Sequence, residues 1–166
     1  MTGGPVRPMD REGTAVVLCE GMYGTTGGKT AHGLVRHTDR YRVVAVIDSR
    51  CAGRDAGEIL DGAPAGIPVV KDLAEALRLG PAHHDFLVVG VATHGGALPP
   101  DCRPAIREAL AAGINVDSGL HDLLADDPEF ATLARTSGAR IRDVRRTPPR
   151  ESMHPFRGDI LQVTSV

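Results

Sequence analysis

Short runs of branched apolar residues alternate along this chain with segments whose apolar residues recur at helical spacing. The apolar runs predict β-strands, and the periodic segments between them predict helices. The region 50–65 is rich in glycine and predicts turns around a short apolar piece near Ile59. Predicted strands cover residues 14–19, 41–47, 67–70, 86–91, 114–116 and 140–144, and predicted helices cover 29–37, 72–79, 104–112 and 128–136. This β-α alternation with short connections is typical of an α/β fold, a doubly wound, mainly parallel sheet with helices on both faces.

The same pattern divides the chain into four parts. Residues 1–13 contain prolines and glycines and predict a flexible leader, and residues 14–144 form the single α/β domain. Residues 145–159 have the composition of a linker, and residues 160–166 are strand-like. This terminal strand is expected to pair at a sheet edge, in this chain or another, or to begin a further element.

Composition excludes several classes of protein. With 42% hydrophobic and 24% charged residues, the chain has ordinary globular usage, and 3% aromatics suits a core of aliphatic residues. A net charge of −2 and the lack of a basic stripe argue against nucleic acid, and no apolar run has membrane length. Cys19, Cys51 and Cys102 lack CxxC spacing and predict free thiols. We therefore expect a cytoplasmic protein that contacts neither membrane nor nucleic acid.

A glycine-rich loop follows the first predicted strand and leads into a helix. Main-chain N–H groups at such a junction can bind an anion, and glycine lets a ligand approach the backbone. A tight turn without a ligand is the alternative. The residues predicted to bind a cofactor or anion here are Glu20, Gly21, Gly24, Thr25, Gly27, Gly28, Lys29 and Thr30.

Two nucleotide-binding signatures match this loop only in part. The dinucleotide signature needs G-x-G-x-x-G, which the glycine spacing does not provide, although Asp48 lies where an acid for a ribose hydroxyl is expected. A turn residue is an equal alternative for Asp48. The P-loop signature ends in Gly28-Lys29-Thr30, but Tyr23 replaces its first glycine, which argues against ATP hydrolysis by this loop alone.

Other predicted site residues follow the fourth and fifth strands. Because ligands of doubly wound sheets bind outside the carboxyl ends of the strands, Thr93 and Gly95 are expected to bind the ligand. His94 and His121 are weak catalytic candidates that this topology brings near each other. A nucleophile such as Ser118 or Cys51 lacks a supporting motif, and no spacing predicts a metal site.

Several of these stretches together resemble a family called domain of unknown function 1611, whose characterised branch is D-glutamate N-acetyltransferase. The resemblance implies a Rossmann-like N-terminal half that is normally followed by a P-loop half. It covers only that first half. The stretches that carry it are Glu20-Gly21, Gly24-Thr25, Gly28-Lys29-Thr30-Ala31-His32-Gly33-Leu34, Val46-Ile47-Asp48-Ser49, Asp55-Ala56-Gly57, Gly90-Val91-Ala92-Thr93, Gly95-Gly96, Leu98-Pro99-Pro100 and Ser118-Gly119-Leu120-His121.

The leading hypothesis is therefore the ligand-binding half of a two-domain enzyme similar to D-glutamate N-acetyltransferase. It would bind a small anionic metabolite or part of a cofactor and need a P-loop domain or protein partner for activity. The sequence leaves acetyl-CoA, a nucleotide and NAD(P) open as cofactors, and a homo-oligomer is expected. A free-standing NAD(P)-binding oxidoreductase domain and a non-enzymatic interaction module that pairs through residues 160–166 are the alternatives.

Overall fold

The computed structural model describes residues 12–147. Most of the predicted leader, most of the predicted linker and the predicted terminal strand at 160–166 lie outside the described residues. The first strand begins at Gly13, the last residue that we had assigned to the leader. None of the helices in the described part of the chain is both long enough and apolar enough to cross a lipid bilayer.

Within residues 12–147 the structure contains one sheet of six parallel strands in the order β3-β2-β1-β4-β5-β6. The central strands are nearly continuous runs of Val, Leu, Ile and Ala because they are buried on both faces. The strands are β1 Gly13–Leu18, β2 Tyr41–Ile47, β3 Val69–Val70, β4 Phe86–Val89, β5 Asn115–Ser118 and β6 Ile141–Asp143.

Helices cover both faces of this sheet. The first two pack against each other, and the fourth packs between the third and the fifth. They are α1 Lys29–Arg36, α2 Ala56–Asp61, α3 Leu73–Ala76, α4 Arg103–Ala111 and α5 Pro128–Ser137. The doubly wound, mainly parallel fold predicted from the sequence is confirmed.

The glycine-rich region 50–65, for which we predicted only turns, contains the helix α2. Asp55 caps its N-terminus by accepting hydrogen bonds from Gly57 N and Glu58 N, and Gly62 ends it in the left-handed conformation. The same carboxylate accepts from Ala65 N at 2.7 Å and from Ile67 N at 3.1 Å. The N–H groups of Ala65, Glu58 and Gly57, chiefly that of Ala65, lower the pKa of Asp55. An acid at the N-cap and a glycine at the C-terminus were the overlooked signals.

The packing of α1 against the sheet depends on one glycine outside the helix. Gly90 follows β4, and its carbonyl accepts a hydrogen bond of 2.9 Å from Ala31 N. A Cβ at Gly90 would lie 2.8 Å from Ala31 Cβ and 2.7 Å from Val17 Cγ1. Gly33, which lies within α1, is exposed, and a Cβ there would meet no atom within 4 Å.

A network of polar side chains links several strands of the sheet near the start of β2. Asp117 of β5 is buried, and it accepts hydrogen bonds from the Tyr41 hydroxyl and from the Arg142 guanidinium, whose Nε lies 3.0 Å away. Arg142 also pairs with Glu12 at 3.0 Å. Burial, followed by the bond to Asp117, raises the pKa of Tyr41 to about 12. The network therefore ties together β2, β5, β6 and the residue that precedes β1.

Candidate functional site

The strand order reverses between β1 and β4, and this is where a doubly wound sheet normally binds its ligand. The loop after β1 meets the segment after β4 at this point. The loop after β5 contacts the segment after β4, because His121 N donates a hydrogen bond of 2.9 Å to Gly96 O. Three of the loops that the sequence predicts at this edge of the sheet therefore come together.

Several main-chain amides of the glycine-rich loop donate hydrogen bonds within the protein. Tyr23 N donates to the Asp48 carboxylate at 2.7 Å, and Gly27 N donates to the Thr25 hydroxyl at 3.1 Å. Gly28 N donates to Thr25 O at 3.1 Å. These donors hold the loop in shape, so they are not free to form the anion-binding cradle suggested by the sequence. Hydrogen bonds of this kind also occur in a tight turn without a ligand.

The same loop is joined directly to the segment after β4. Ala92 N donates to Gly27 O at 2.6 Å, while Ala31 N donates to Gly90 O at 2.9 Å. In a dinucleotide-binding sheet the pyrophosphate occupies the crevice at this point, against the helix N-terminus. In this protein the hydrogen bond from Ala92 N to Gly27 O crosses the place where the pyrophosphate would lie.

Asp48 and Glu20 both organise turns at the carboxyl edge. Asp48 is buried, and its two carboxylate oxygens accept hydrogen bonds from Tyr23 N at 2.7 Å and Arg50 N at 2.9 Å. Glu20 accepts from Ser49 N at 3.0 Å and from the Ser49 hydroxyl. These contacts support the turn alternative for Asp48 rather than a contact with a ribose.

A cleft of about 270 Å³ lies between the start of α1 and the loops after β4 and β5. We call it the β4-β5 cleft. Its floor is aliphatic and its rim carries two cationic side chains, one imidazole and two threonines, with no acidic residue. The lining residues are Lys29, Thr30, Val89, Val91, Ala92, Thr93, Gly95, Gly96, Gly119, Leu120, His121 and Arg145.

Arg145, which the sequence predicts to lie in the linker, lines the β4-β5 cleft. Its Nε donates a hydrogen bond of 2.5 Å to Gly119 O, which fixes the guanidinium at the rim of the β4-β5 cleft. The neighbouring Arg146 turns away and pairs with Asp126 at 2.6 Å. No signal in the sequence separates these two adjacent arginines, because the separation depends on where β5 and the loop after it lie.

The two candidate histidines have different positions. His121 lines the cleft and packs directly against Gly96, whose φ of +71° and close contact with the imidazole both require glycine. His94 is exposed on the turn that contains Gly96 and is not among the residues that line the cleft. Thr93 stabilises this turn by donating to Ala97 O at 2.6 Å.

The residues predicted for the site thus fall into three groups. Lys29, Thr30, Thr93, Gly95 and His121 line the β4-β5 cleft. A second cavity between α1 and α2 is lined by Gly24 and Thr25, and again by Lys29. The remaining predicted residues lie outside both linings, and these are Glu20, Gly21, Gly27, Gly28, Asp48 and His94.

All three cysteines are free thiols. Burial raises the pKa of Cys102 to about 12, and burial also raises the pKa values of Cys19 and Cys51. A thiolate is therefore disfavoured at neutral pH at each position, which argues against a nucleophilic role for Cys51. Residues 12–147 contain no group of three or more His, Cys, Asp or Glu side chains that could hold a metal ion.

Parts of this chain are similar to curated proteins. A D-glutamate N-acetyltransferase of Tritonibacter scottomollicae is 41% identical over 59 residues, which are 36% of this chain and 18% of the relative. One of a Pseudoalteromonas species is 36% identical over 73 residues, which are 44% of this chain and 21% of the relative. The matched regions therefore span only about a fifth of these relatives.

Solved structures share the fold. A DUF1611 family protein of Anabaena variabilis has a TM-score of 0.71 and 34% identity, over 83% of this chain and 38% of that protein. An amine dehydrogenase of Mycobacterium smegmatis has a TM-score of 0.53 and 20% identity, over 77% of this chain and 38% of that protein, a likeness of fold alone. The family described as DUF1611_N, a Rossmann-like domain of unknown function, matches residues 49–147. This chain belongs to the DUF1611_N family of Rossmann-like domains.

Proposed function

We propose that this chain is the substrate-binding part of an enzyme that N-acetylates an acidic amino acid, and that the β4-β5 cleft binds the substrate's carboxylate. The observation that carries the proposal is the charge of the cleft, where Lys29 and Arg145 line the rim and no acidic residue does. A carboxylate gains most from such a site, because charge-assisted hydrogen bonds are stronger than neutral ones. The names of the curated relatives supply D-glutamate as the first ligand to test.

The anchoring of Arg145 favours an anion with planar oxygens. Because Nε is bonded to Gly119 O, the guanidinium is held at the rim before any ligand arrives. A pre-organised guanidinium loses less entropy on binding and matches a carboxylate with its remaining N–H groups. We assign His121, not His94, as the histidine that contacts the bound ligand, since only His121 lines the cleft.

Catalysis requires more than this domain in our proposal. The regions that match the curated relatives account for only about a fifth of each relative. We propose that a further half, P-loop in type as the family resemblance implies, completes the active site beside the β4-β5 cleft.

The dinucleotide alternative receives less support. The carboxylate oxygens of Asp48 are bonded to main-chain amides, and the hydrogen bond from Ala92 N to Gly27 O spans the usual crevice. A pyrophosphate in the crevice between the segments after β1 and β4 would have to displace this contact. We therefore propose carboxylate binding and not hydride transfer.

The test is a calorimetric or NMR titration of the purified chain with D-glutamate, L-glutamate and D-glutamine. We expect D-glutamate to bind and D-glutamine, which lacks the side-chain carboxylate, to bind at least tenfold more weakly. The variant Arg145→Gln should weaken D-glutamate binding roughly ten- to hundredfold, since a hydrogen bond to a charged group contributes about 1.5–3 kcal/mol.

The adjacent arginine supplies the control. Arg146→Gln removes the same charge from the next residue, which pairs with Asp126 and does not line the cleft. Its affinity for D-glutamate should equal that of the wild type within twofold. Equal losses in both variants would show a general charge effect and contradict the proposal, as would the absence of D-glutamate binding to the wild type.

A further inference from the structure

A second cavity, which we call the α1-α2 groove, lies on the other side of the start of α1. Its volume is about 620 Å³, and Ile59 and Leu60 of α2 line its aliphatic side. Tyr23 and His32 line it near the glycine-rich loop. Lys29 belongs to both linings, so the groove and the β4-β5 cleft meet at this one side chain.

The ring of His32 has a fixed position in the groove. Its Nε2 lies 2.6 Å from Tyr23 O, and its plane stands edge-on to the Tyr23 ring at a centroid distance of 5.3 Å. Tyr23 is itself buried, and its hydroxyl donates to Ala56 O of α2 at 3.1 Å. The groove is therefore a preformed surface tied to both helices.

Among the charged side chains that line the groove, Lys29 is the cation available to a ligand. Arg36 is paired with Asp61 through hydrogen bonds of 2.5, 3.0 and 3.2 Å, so its charge is balanced and its guanidinium plane is held in place. Within residues 12–147 Lys29 forms no ion pair. The groove thus combines one available ammonium group, one fixed guanidinium plane and an aliphatic surface.

We infer that the α1-α2 groove binds the adenosine phosphate part of a nucleotide, with the base over Ile59 and Leu60 beside Arg36 and the phosphate at Lys29. The two aliphatic side chains suit one flat ring, and a guanidinium plane stacks on nucleic bases. An ammonium group at the first residue of a helix favours a phosphate, because the helix N-terminus adds positive potential. This inference deepens the proposed function, since Lys29 would lie between the nucleotide and the carboxylate substrate.

The position proposed for the adenosine phosphate differs from that of a dinucleotide bound to a similar sheet. There the phosphates lie in the crevice between the first and fourth strands. In this protein the hydrogen bond from Ala92 N to Gly27 O crosses that crevice. The α1-α2 groove lies on the other side of the glycine-rich loop, next to α2. ADP and acetyl-CoA both carry the adenosine phosphate group, so they are the two probes.

The experiment is a ¹⁵N NMR titration of the full chain. With ADP we expect the amide signals of Arg36, Ile59 and Leu60 to shift. No shift with ADP, or shifts confined to residues 93–96 and 119–121, would overturn the inference. Acetyl-CoA binding at least tenfold tighter than ADP would identify an acyl-CoA as the source of the group, and equal affinities would identify a free nucleotide.

A pair of variants tests the position independently. Leu60→Glu places a carboxylate in the groove and should weaken ADP binding at least tenfold, whereas Leu77→Glu changes an exposed leucine outside both linings and should not. If Leu60→Glu does not fold, the wild-type shift map decides. A D-glutamate titration in the same spectra, read at Gly119 and His121, reports on the proposed function separately, so either idea can fail alone.

Discussion

Adding one methyl group at Gly90 should destabilise the protein and displace α1. A Cβ at this position would lie 2.7 Å from Val17 Cγ1, 2.8 Å from Ala31 Cβ and 3.2 Å from Ala31 Cα. Carbon atoms in contact are normally about 3.5–4.0 Å apart, so the helix or the strand has to move by nearly 1 Å. Val17 and Ala31 are both fully buried, which leaves no solvent-exposed side chain to give way.

The cost of Gly90→Ala follows from this overpacking. Extra methyl groups in a packed core cost about 1–3 kcal/mol. For a domain of this size, each kcal/mol lowers the melting temperature by roughly 2–4 °C. We therefore expect the melting temperature to fall by roughly 2–12 °C. Binding of D-glutamate should also weaken, because α1 carries Lys29 and Thr30 of the cleft.

Gly33→Ala is the matched control for this variant. It adds the same methyl group to α1 itself, at an exposed position where no atom lies within 4 Å. Alanine is favoured over glycine in a helix by about 0.8–1.0 kcal/mol, so this variant should be more stable than the wild type. Urea unfolding followed by circular dichroism measures both. A midpoint for Gly90→Ala at or above the wild-type value would refute the reasoning.

Three further predictions concern other parts of the fold. His84 is buried and neither ring nitrogen has a hydrogen-bond partner among residues 12–147, so His84→Leu should raise the free energy of unfolding by about 1 kcal/mol, and a lower urea midpoint would contradict this. Arg142→Leu leaves the buried Asp117 without its ion-pair partner and should lower the free energy of unfolding by about 3 kcal/mol in the same assay, the lower end of the cost of breaking a buried pair, because Arg142 is partly exposed. Loss of the exposed Arg140 should cost little. The pKa of Asp55 is lower in the folded state, so its contribution is present above an unfolded pKa of about 3.9 and is lost as pH falls through the folded value. Acid titrations should therefore show a smaller loss of stability below about pH 4 in Asp55→Ala than in the wild type.

The sequence by itself determined the sheet and most of its helices. Strands such as β2 are continuous apolar runs, which is a local property of the residues, and its predicted bounds 41–47 match the structure. Asp72 begins the predicted helix 72–79, and in the structure its carboxylate caps α3 by accepting a hydrogen bond of 2.7 Å from Glu75 N. The order of loops at the carboxyl edge followed from the alternation of elements. These features depend on residues close together in the chain, so a pattern can reveal them.

Only the tertiary structure decided which of several similar residues has a special place. Nothing in the sequence distinguishes Gly33 from Gly90 as a packing position, but of these two glycines only Gly90 lies where a helix contacts the sheet. Arg145 and Arg146 are neighbours, and only Arg145 lies within reach of Gly119 O and the cleft. Asp48 occupies the expected position for a ribose contact, but amides from two loops bind its carboxylate. Each outcome depends on contacts between residues distant in the chain, and such contacts exist only after the strands and helices have packed.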